Sequence, residues 1–143
     1  MTTKVSVDSA LPDFLENIST GRHVLQADEP VGAGGRDAAP TPYELLLASL
    51  GACKVITLRM YAKRKRWPPE EVHVNLSHAK VHAEDCANCD TETTTLIDRI
   101  QLDIRLVGDL STEQRQALLA IAEKCPVQRT LTSGVQIQTR PTG

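Results

Sequence analysis

The chain has 143 residues, of which 41% are hydrophobic, 24% charged and 3% aromatic, and its formal net charge is −2 at pH 7. This length suits one compact domain with its own core, so we expect a single domain over residues 1–143. The near-neutral charge provides no large basic surface, and one Trp, two Tyr and one Phe provide no row of rings on which bases stack. Nucleic acid is therefore not an expected partner.

The N-terminal residues Met-Thr-Thr-Lys-Val-Ser-Val lack the apolar segment of a secretory signal. The longest apolar run, at residues 45–50, is far shorter than a membrane span. We therefore expect a cytoplasmic protein with no membrane partner. In that reducing compartment, the four cysteines are more often catalytic, metal-binding or buried than paired in structural disulfides.

The N-terminal part of the chain predicts short strands followed by a loop. Residues 4–7, 14–18 and 22–28 are compatible with strands, and residues 19–21 with a turn between the last two. Residues 30–42 are rich in Gly and Pro, which predicts a loop that leads into a helix.

A long helix is predicted from Pro42 to about Lys65. Thr41 and Glu44 form a capping box, and Pro42 fits the first helical position, where no amide proton is needed. An apolar stripe at spacings of three or four predicts an inward face that carries a cysteine; its members are Leu46, Leu50, Cys53, Thr57 and Met60. We interpret the basic run at residues 63–66 as a complement to the negative end of the helix dipole rather than as a nucleic-acid patch.

Two segments beyond Trp67-Pro68-Pro69 alternate apolar and polar residues, at 72–77 and 99–106. This pattern indicates antiparallel strands with one face packed on helices. The predicted fold class is therefore α+β, in which an antiparallel sheet packs with a long central helix and a second helical segment. A final strand is predicted at residues 135–139.

The second helical segment starts at another capping box, formed by Ser111 and Gln114. Its apolar face consists of Leu118, Ile121, Ala122 and Cys125. Pro126 must break or kink this helix and suits the first position of a new one, so Cys125 is expected at a junction. The positive end of the new helix would then favour the Cys125 thiolate.

Two cysteines on the inner faces of different helices suggest redox chemistry. A thiolate attacks a peroxide O–O bond far better than a thiol does, and it becomes a sulfenic acid. A second thiol condenses with that acid to a disulfide and prevents further oxidation. Cys53 and Cys125 can fill these two roles if the sheet brings them together. The same spacing also fits two inert core thiols.

The segment from Gly34 to Cys53, GGRDAAPTPYELLLASLGAC, resembles the centre of the OsmC/Ohr family, the osmotically induced and organic-hydroperoxide-resistance proteins. Lys124-Cys125-Pro126-Val127 resembles the second signature of that family. The resemblance implies an α+β fold in which two chains interlock as a homodimer, with two active sites at the interface. It also implies thiol-dependent reduction of organic hydroperoxides, with hydrogen peroxide as a further candidate substrate. Cys53 matches the attacking cysteine and Cys125 the resolving one.

This chemistry requires a thiol or dithiol reductant and no organic cofactor. The chain departs from the peroxidase members of the family ten positions before Cys53, where they carry a functional Glu and this chain has Tyr43. Glu44 is better explained by its capping box. The Arg that assists the thiolate in the family has two candidates here, Arg22 and Arg36.

Cys86 and Cys89 form a second pair with a two-residue gap, and His78 and His82 lie upstream of it. The spacing does not match the usual tetrahedral zinc patterns, so no metal site is expected. Acidic neighbours disfavour a nearby thiolate and so argue against a redox role for this pair. The alternative to a peroxidase is a noncatalytic stress or ligand-binding protein of the same fold, with a metal at Cys86 and Cys89 as a variant of it.

Overall fold

A computed structural model describes residues 2–10, 12–82 and 96–143 of the chain, which divides into two compact units, Met1–Leu46 and Leu47–Gly143. The strands are β1 (Ser6–Ser9), β2 (Glu16–Ser19), β3 (Val24–Ala27), β4 (Glu71–His82) and β5 (Leu96–Val107). The α-helices are α1 (Pro42–Lys65), α2 (Thr112–Ala122) and α3 (Pro126–Ser133). The α+β class is as predicted, whereas the single domain over residues 1–143 stays a prediction.

The first unit contains an antiparallel sheet with the strand order β1-β2-β3. Ser6 lies opposite Ser19 in one strand pair, and Glu16 lies opposite Ala27 in the other. The three N-terminal strands were therefore predicted correctly, although each begins two residues later than expected. The predicted turn also lies between β2 and β3, where Gly21 adopts a φ of 91°.

The Gly/Pro-rich loop after β3 is organised around the carboxylate of Asp28, whose residue is 2% exposed. This carboxylate accepts hydrogen bonds from the backbone N–H groups of Glu29 (2.8 Å), Arg36 (3.3 Å) and Ala38 (3.1 Å). Led by the Ala38 amide, these donors hold the pKa of Asp28 below its usual value. The buried Asp28 carboxylate thus fixes the conformation of the loop, which its Gly/Pro-rich composition alone does not determine.

Helix α1 begins at the predicted capping box. The Thr41 hydroxyl accepts the Glu44 backbone N–H at 3.2 Å, and the Glu44 carboxylate accepts the Thr41 N–H at 3.0 Å. The two side chains satisfy groups that the helix itself leaves unpaired. Glu44 therefore has the structural role that the sequence predicted.

Helix α1 ends in a Schellman motif just before the two prolines. The Trp67 N–H donates to the Ala62 carbonyl at 2.9 Å, and the Arg66 N–H donates to the Lys63 carbonyl at 3.1 Å. Arg66 takes the left-handed conformation, with a φ of 59°, where glycine is usual. Arg66, the last residue of the basic run, thus belongs to the motif that ends the helix.

The second unit packs helices against a two-stranded sheet. Strands β4 and β5 pair antiparallel along their whole length, from Glu71 opposite Val107 to His82 opposite Leu96. The core consists of Leu58 and Ala62 from α1 and Leu118 and Ala122 from α2. Partly buried apolar side chains of the helices, the sheet and the adjoining loops pack against it, namely Tyr61, Trp67, Val72, Ile104, Leu106, Leu110 and Ile121.

A glycine allows α1 to approach the sheet closely. A Cβ atom at Gly51 would lie 2.8 Å from the Leu76 side chain of β4. The end of β5 is bound to α2 by Arg115, whose guanidinium donates to the carbonyls of Leu106 (3.0 Å) and Gly108 (3.1 Å). The predicted capping box of α2 is also present, with Ser111 and Gln114 bonded reciprocally.

The predicted strand at residues 135–139 is wrong. The structure assigns no strand to this segment, and Ile137 is 83% exposed. An alternating pattern indicates which side chains share a face, but a strand also needs a neighbouring backbone with which to exchange hydrogen bonds.

Helix α1 is the one described helix that is long and apolar enough, by length and composition alone, to cross a membrane. Its 24 residues contain an 18-residue window with a mean hydropathy of 1.4. The core helix of a soluble protein passes the same test, and Leu58 and Ala62 of α1 belong to the core of the second unit. The sequence prediction counted uninterrupted apolar residues, whereas the mean hydropathy averages apolar and polar residues over 18 positions.

Gly35 provides a test of the loop around Asp28. A Cβ at this position would overlap the Glu29 carbonyl and lie 2.9 Å from an Asp28 carboxylate oxygen. We expect Gly35→Ala to lower the free energy of unfolding by about 1–3 kcal/mol, because the backbone must shift to relieve the overlap. Urea denaturation at a fixed protein concentration measures the change.

Gly32→Ala is the matched control for this experiment. A Cβ at Gly32 meets no atom within 4 Å. The control should unfold at the same urea concentration as the natural chain. Equal stability of the two variants would show that the Asp28 loop does not constrain the chain as described.

Candidate active site

Cys53 lies in the middle of α1, and its residue is partly buried. The predicted inward stripe is partly wrong, because Met60 is 68% exposed. The buried line of the helix follows Leu50, Gly51, Lys54, Leu58 and Ala62 instead. Spacings of three and four fit neighbouring stripes of a helix with 3.6 residues per turn, and the pattern alone does not decide which stripe faces the core. Cys53 flanks the buried line and is only partly buried.

Cys125 lies at the predicted junction and is fully buried, with 0% of the residue exposed. It is the N-cap of α3, and Pro126 occupies the first turn of that helix. Proline has no amide proton to lose at this position, and its ring favours the helical φ. The chain therefore stops α2, turns at Cys125 and starts α3 within a few residues.

The structure brings the two predicted site cysteines together as free thiols. The Cys125 thiol donates a hydrogen bond to the Cys53 sulfur. The backbone N–H of Val127, in the first turn of α3, also donates to Cys53, as does the Thr57 hydroxyl one turn along α1. Three donors from two helices thus converge on one sulfur.

These contacts shift the pKa values of the two thiols in opposite directions. Burial opposes ionisation of Cys53, but the donors from Cys125, Val127 and Thr57 outweigh it and lower the pKa of Cys53. The Lys54 charge acts in the same sense. Burial and the hydrogen bond to Cys53 raise the pKa of Cys125. At neutral pH, Cys53 is the more readily ionised of the two thiols.

The new helix favours the Cys125 thiolate, as expected, but other contacts decide the pKa of Cys125. The amides of Val127 and Gln128 do donate to Cys125, and they oppose the upward shift in its pKa. Burial and the nearby Cys53 outweigh them. The Val127 amide also serves Cys53, so the N-terminus of α3 assists the sulfur of the other helix.

Lys54 is a residue of the site that the sequence analysis missed. It is 1% exposed, and its Nζ donates to the Ala122 carbonyl at 2.6 Å and to the Gln128 side-chain oxygen. A lysine is an unusual member of a buried stripe, since charged side chains are rarely buried without partners. Its position four residues after Leu50 and four before Leu58 is the sequence signal for this burial.

The two arginine candidates lie in the first unit, outside the Leu47–Gly143 unit that holds both cysteines. Arg36 forms an exposed ion pair with Asp13 at 3.0 Å. Arg22 is exposed in the connection between β2 and β3. Tyr43 lies in the first turn of α1 and is half exposed.

Cys86 and Cys89 lie outside the described residues. His78 Nε2 donates to the Asp98 carboxylate on the neighbouring strand at 2.8 Å, and His82 ends β4. Within residues 2–10, 12–82 and 96–143, no group of three or more His, Cys, Asp or Glu side chains is placed to hold a metal ion. The expected absence of a metal at the second cysteine pair stays a prediction.

Among solved structures, an OsmC-like protein from Mycoplasma pneumoniae has a TM-score of 0.71 at 16% identity, over 92% of this chain and 87% of that one. The organic hydroperoxide resistance protein OsmC from Legionella pneumophila has a TM-score of 0.64 at 21% identity, over 92% and 90% of the two chains. The organic hydroperoxide resistance protein OhrB of Bacillus subtilis has a TM-score of 0.59 at 20% identity, over 90% and 89%.

These structural similarities show a shared fold. A search among curated protein sequences gave no match. The family model described as OsmC-like protein matches residues 34–140, which include both site cysteines and most of the chain. The protein therefore belongs to the OsmC-like family.

Proposed function

We propose that this protein is a thiol-dependent peroxidase that reduces organic hydroperoxides, with Cys53 as the attacking residue and Cys125 as the resolving one. The observation that carries the proposal is the hydrogen-bonded thiol pair, in which the pKa of Cys53 is lowered and that of Cys125 is raised. Two thiols that only fill space in a core need no such difference in pKa. The hydroperoxide resistance named in the similar structures from Legionella pneumophila and Bacillus subtilis supports the substrate class.

In the first step, the Cys53 thiolate attacks the terminal oxygen of a hydroperoxide ROOH. An S–O bond forms, the O–O bond breaks, and the alkoxide leaves and takes a proton from solvent to become ROH. The sulfur is now a sulfenic acid. Cys53 is partly exposed, so a substrate can reach it directly.

In the second step, the Cys125 thiol condenses with the sulfenic acid. An S–S bond forms, and the hydroxyl group leaves with the Cys125 proton as water. Cys125 is already in contact with Cys53, so this step needs little movement of the chain. Two external thiol groups, or one dithiol, then reduce the disulfide and are themselves oxidised to a disulfide. No organic cofactor takes part.

The donors around Cys53 give this chain its own means of activating the thiolate, although Tyr43 replaces the Glu of the peroxidase members. Val127 and Thr57 stabilise the negative sulfur by hydrogen bonds, and Lys54 does so by charge. Peroxidase chemistry is therefore compatible with the substitution at Tyr43.

We also propose that the protein acts as a cytoplasmic homodimer. Large apolar side chains of α1 are exposed in the single chain, among them Ile56 and Met60. Exposed apolar side chains of this size on one helix favour burial against another chain.

The alternative function is a noncatalytic ligand-binding protein. It retains the fold and predicts no reaction at Cys53.

The first prediction for this function concerns the two cysteines. Cys53→Ser should abolish hydroperoxide turnover, because a hydroxyl is a poor nucleophile without a strong base beside it. Cys125→Ser should permit one round of reduction and then leave Cys53 as a sulfinic acid or an adduct. Turnover of cumene hydroperoxide with dithiothreitol, and mass spectrometry of the products, measure both outcomes.

The double variant Cys86→Ser/Cys89→Ser is the control. It removes the second cysteine pair and should retain turnover and the Cys53–Cys125 disulfide. Stoichiometric zinc in the natural protein that is absent from this variant would establish a metal site there. Turnover that persists in Cys53→Ser would refute the peroxidase assignment, and a natural protein that forms no Cys53–Cys125 disulfide would favour the binding protein.

A second prediction concerns the pH dependence of Cys53. Iodoacetamide reacts with the thiolate, so its rate rises with pH and levels off above the pKa. Because the pKa of Cys53 is lowered in the folded protein, the midpoint should lie below that of the same cysteine in guanidinium chloride. Mass spectrometry of the alkylated Cys53 peptide in the Cys86→Ser/Cys89→Ser background measures each midpoint.

Substitutions at Cys125 separate the causes of this shift. Cys125→Ala removes a hydrogen-bond donor and should move the Cys53 midpoint to higher pH, whereas Cys125→Ser retains a hydroxyl donor and should move it less. A folded-state midpoint equal to that in denaturant would contradict the polarised thiol pair.

A further inference from the structure

Lys54 is the most deeply buried charged side chain near the two thiols. Its residue is 1% exposed, and none of the ion pairs within the described residues includes it. Its Nζ donates to one backbone carbonyl, that of Ala122, and to one neutral side chain, that of Gln128. A buried ammonium group with neutral acceptors loses much of its hydration without gaining a carboxylate.

The two acceptors of Lys54 lie on either side of Cys125. Ala122 is the last residue of α2, and its carbonyl is one of the four that a helix leaves without an internal partner. Gln128 lies in the first turns of α3. Lys54 therefore connects α1 to the end of one helix and to the start of the next, and Cys125 is the junction between them.

The ionisable groups that the contacts place around Lys54 belong to α1 and to the junction. Cys53 precedes it on α1, and the Lys54 charge acts on that sulfur. Gln128 also contacts Glu123, because its side-chain amide donates to the Glu123 carboxylate at 2.8 Å. Glu123 is exposed and therefore screened by solvent, whereas the Lys54 charge acts on Cys53, the residue that precedes it on α1.

We propose that Lys54 is a positioning residue of this site, which holds the Cys125 junction against α1 and provides the buried counter-charge of the Cys53 thiolate. The inference rests on the proposed function, since it assigns Lys54 to the same reaction. It explains why a lysine occupies a core position of α1 where its neighbours along the buried line are apolar.

The counter-charge also affects the disulfide. When the thiolate of Cys53 and the thiol of Cys125 form a disulfide, two electrons pass to the oxidant and the Cys125 proton is released. The negative charge beside Lys54 is then lost, while the buried ammonium group remains. Lys54 should therefore stabilise the reduced pair relative to the disulfide and make the disulfide easier to reduce.

The test uses purified full-length protein in the Cys86→Ser/Cys89→Ser background. Lys54→Met keeps the length of the side chain and removes its charge and its donors. We expect the Cys53 alkylation midpoint to move to higher pH and the equilibrium with a dithiothreitol redox buffer to shift about tenfold toward the disulfide. Lys54→Arg keeps the charge and should retain most of both natural values.

Lys63→Met is the matched control, because Lys63 is an exposed lysine nine residues further along α1. It should change neither the midpoint nor the equilibrium. A folded Lys54→Met protein with both quantities unchanged would overturn the counter-charge. Equal shifts in Lys54→Arg and Lys54→Met would also overturn it, because loss of packing would then explain both.

Gln128→Ala tests the positioning role without touching the charge, at a residue that is only partly buried. It should slow closure of the Cys53–Cys125 disulfide by oxidised dithiothreitol about threefold to tenfold, with little change in the alkylation midpoint. An unchanged closure rate would overturn the positioning role. None of these measurements uses a peroxide, so a protein that fails to reduce hydroperoxides but shows these shifts would refute the proposed function and leave the role of Lys54 standing.

Discussion

The hydrogen bond between the two thiols depends on how the chain turns between α2 and α3. Pro126 cannot continue α2, but it starts α3 without the loss of an amide donor, so the turn falls at Cys125. The same turn directs the Val127 amide, the first one available in α3, at the sulfur of Cys53. Lys54 then joins the two sides of the turn to α1. One backbone constraint thus positions the thiol, the amide and the cation together.

This arrangement gives different pKa values to two thiols that are chemically identical in the unfolded chain. Both are partly or fully buried, and burial alone would raise the pKa of each. Donors outweigh burial at Cys53, whereas at Cys125 the neighbouring sulfur adds to burial. A nucleophile must be ionised and a resolving thiol must wait until a sulfenic acid exists, so the division of roles in the proposed mechanism follows from this difference.

Local rules predicted the elements that depend on local interactions. The Thr41 and Ser111 capping boxes and the Cys125-Pro126 junction all involve residues within four positions of each other, and each was predicted correctly. Errors arose where distant parts of the chain decide the outcome. Met60 is exposed because the packing of α1 selects a neighbouring stripe, and residues 135–139 lack a partner strand within the part of the chain described. Lys54 was missed because lysine is ordinarily a surface residue, and its acceptors lie on α2 and α3, far along the sequence.

In the proposed mechanism, the complete burial of Cys125 determines how the oxidised protein returns to its starting state. In that mechanism an incoming thiol would attack the partly buried Cys53, so the transient mixed disulfide would form there and Cys125 would depart as the leaving group. The amides of Val127 and Gln128, which donate to the Cys125 sulfur, are already in place to receive the charge that develops on it. Under this mechanism the surface around Cys53 would meet both the oxidant and the electron donor.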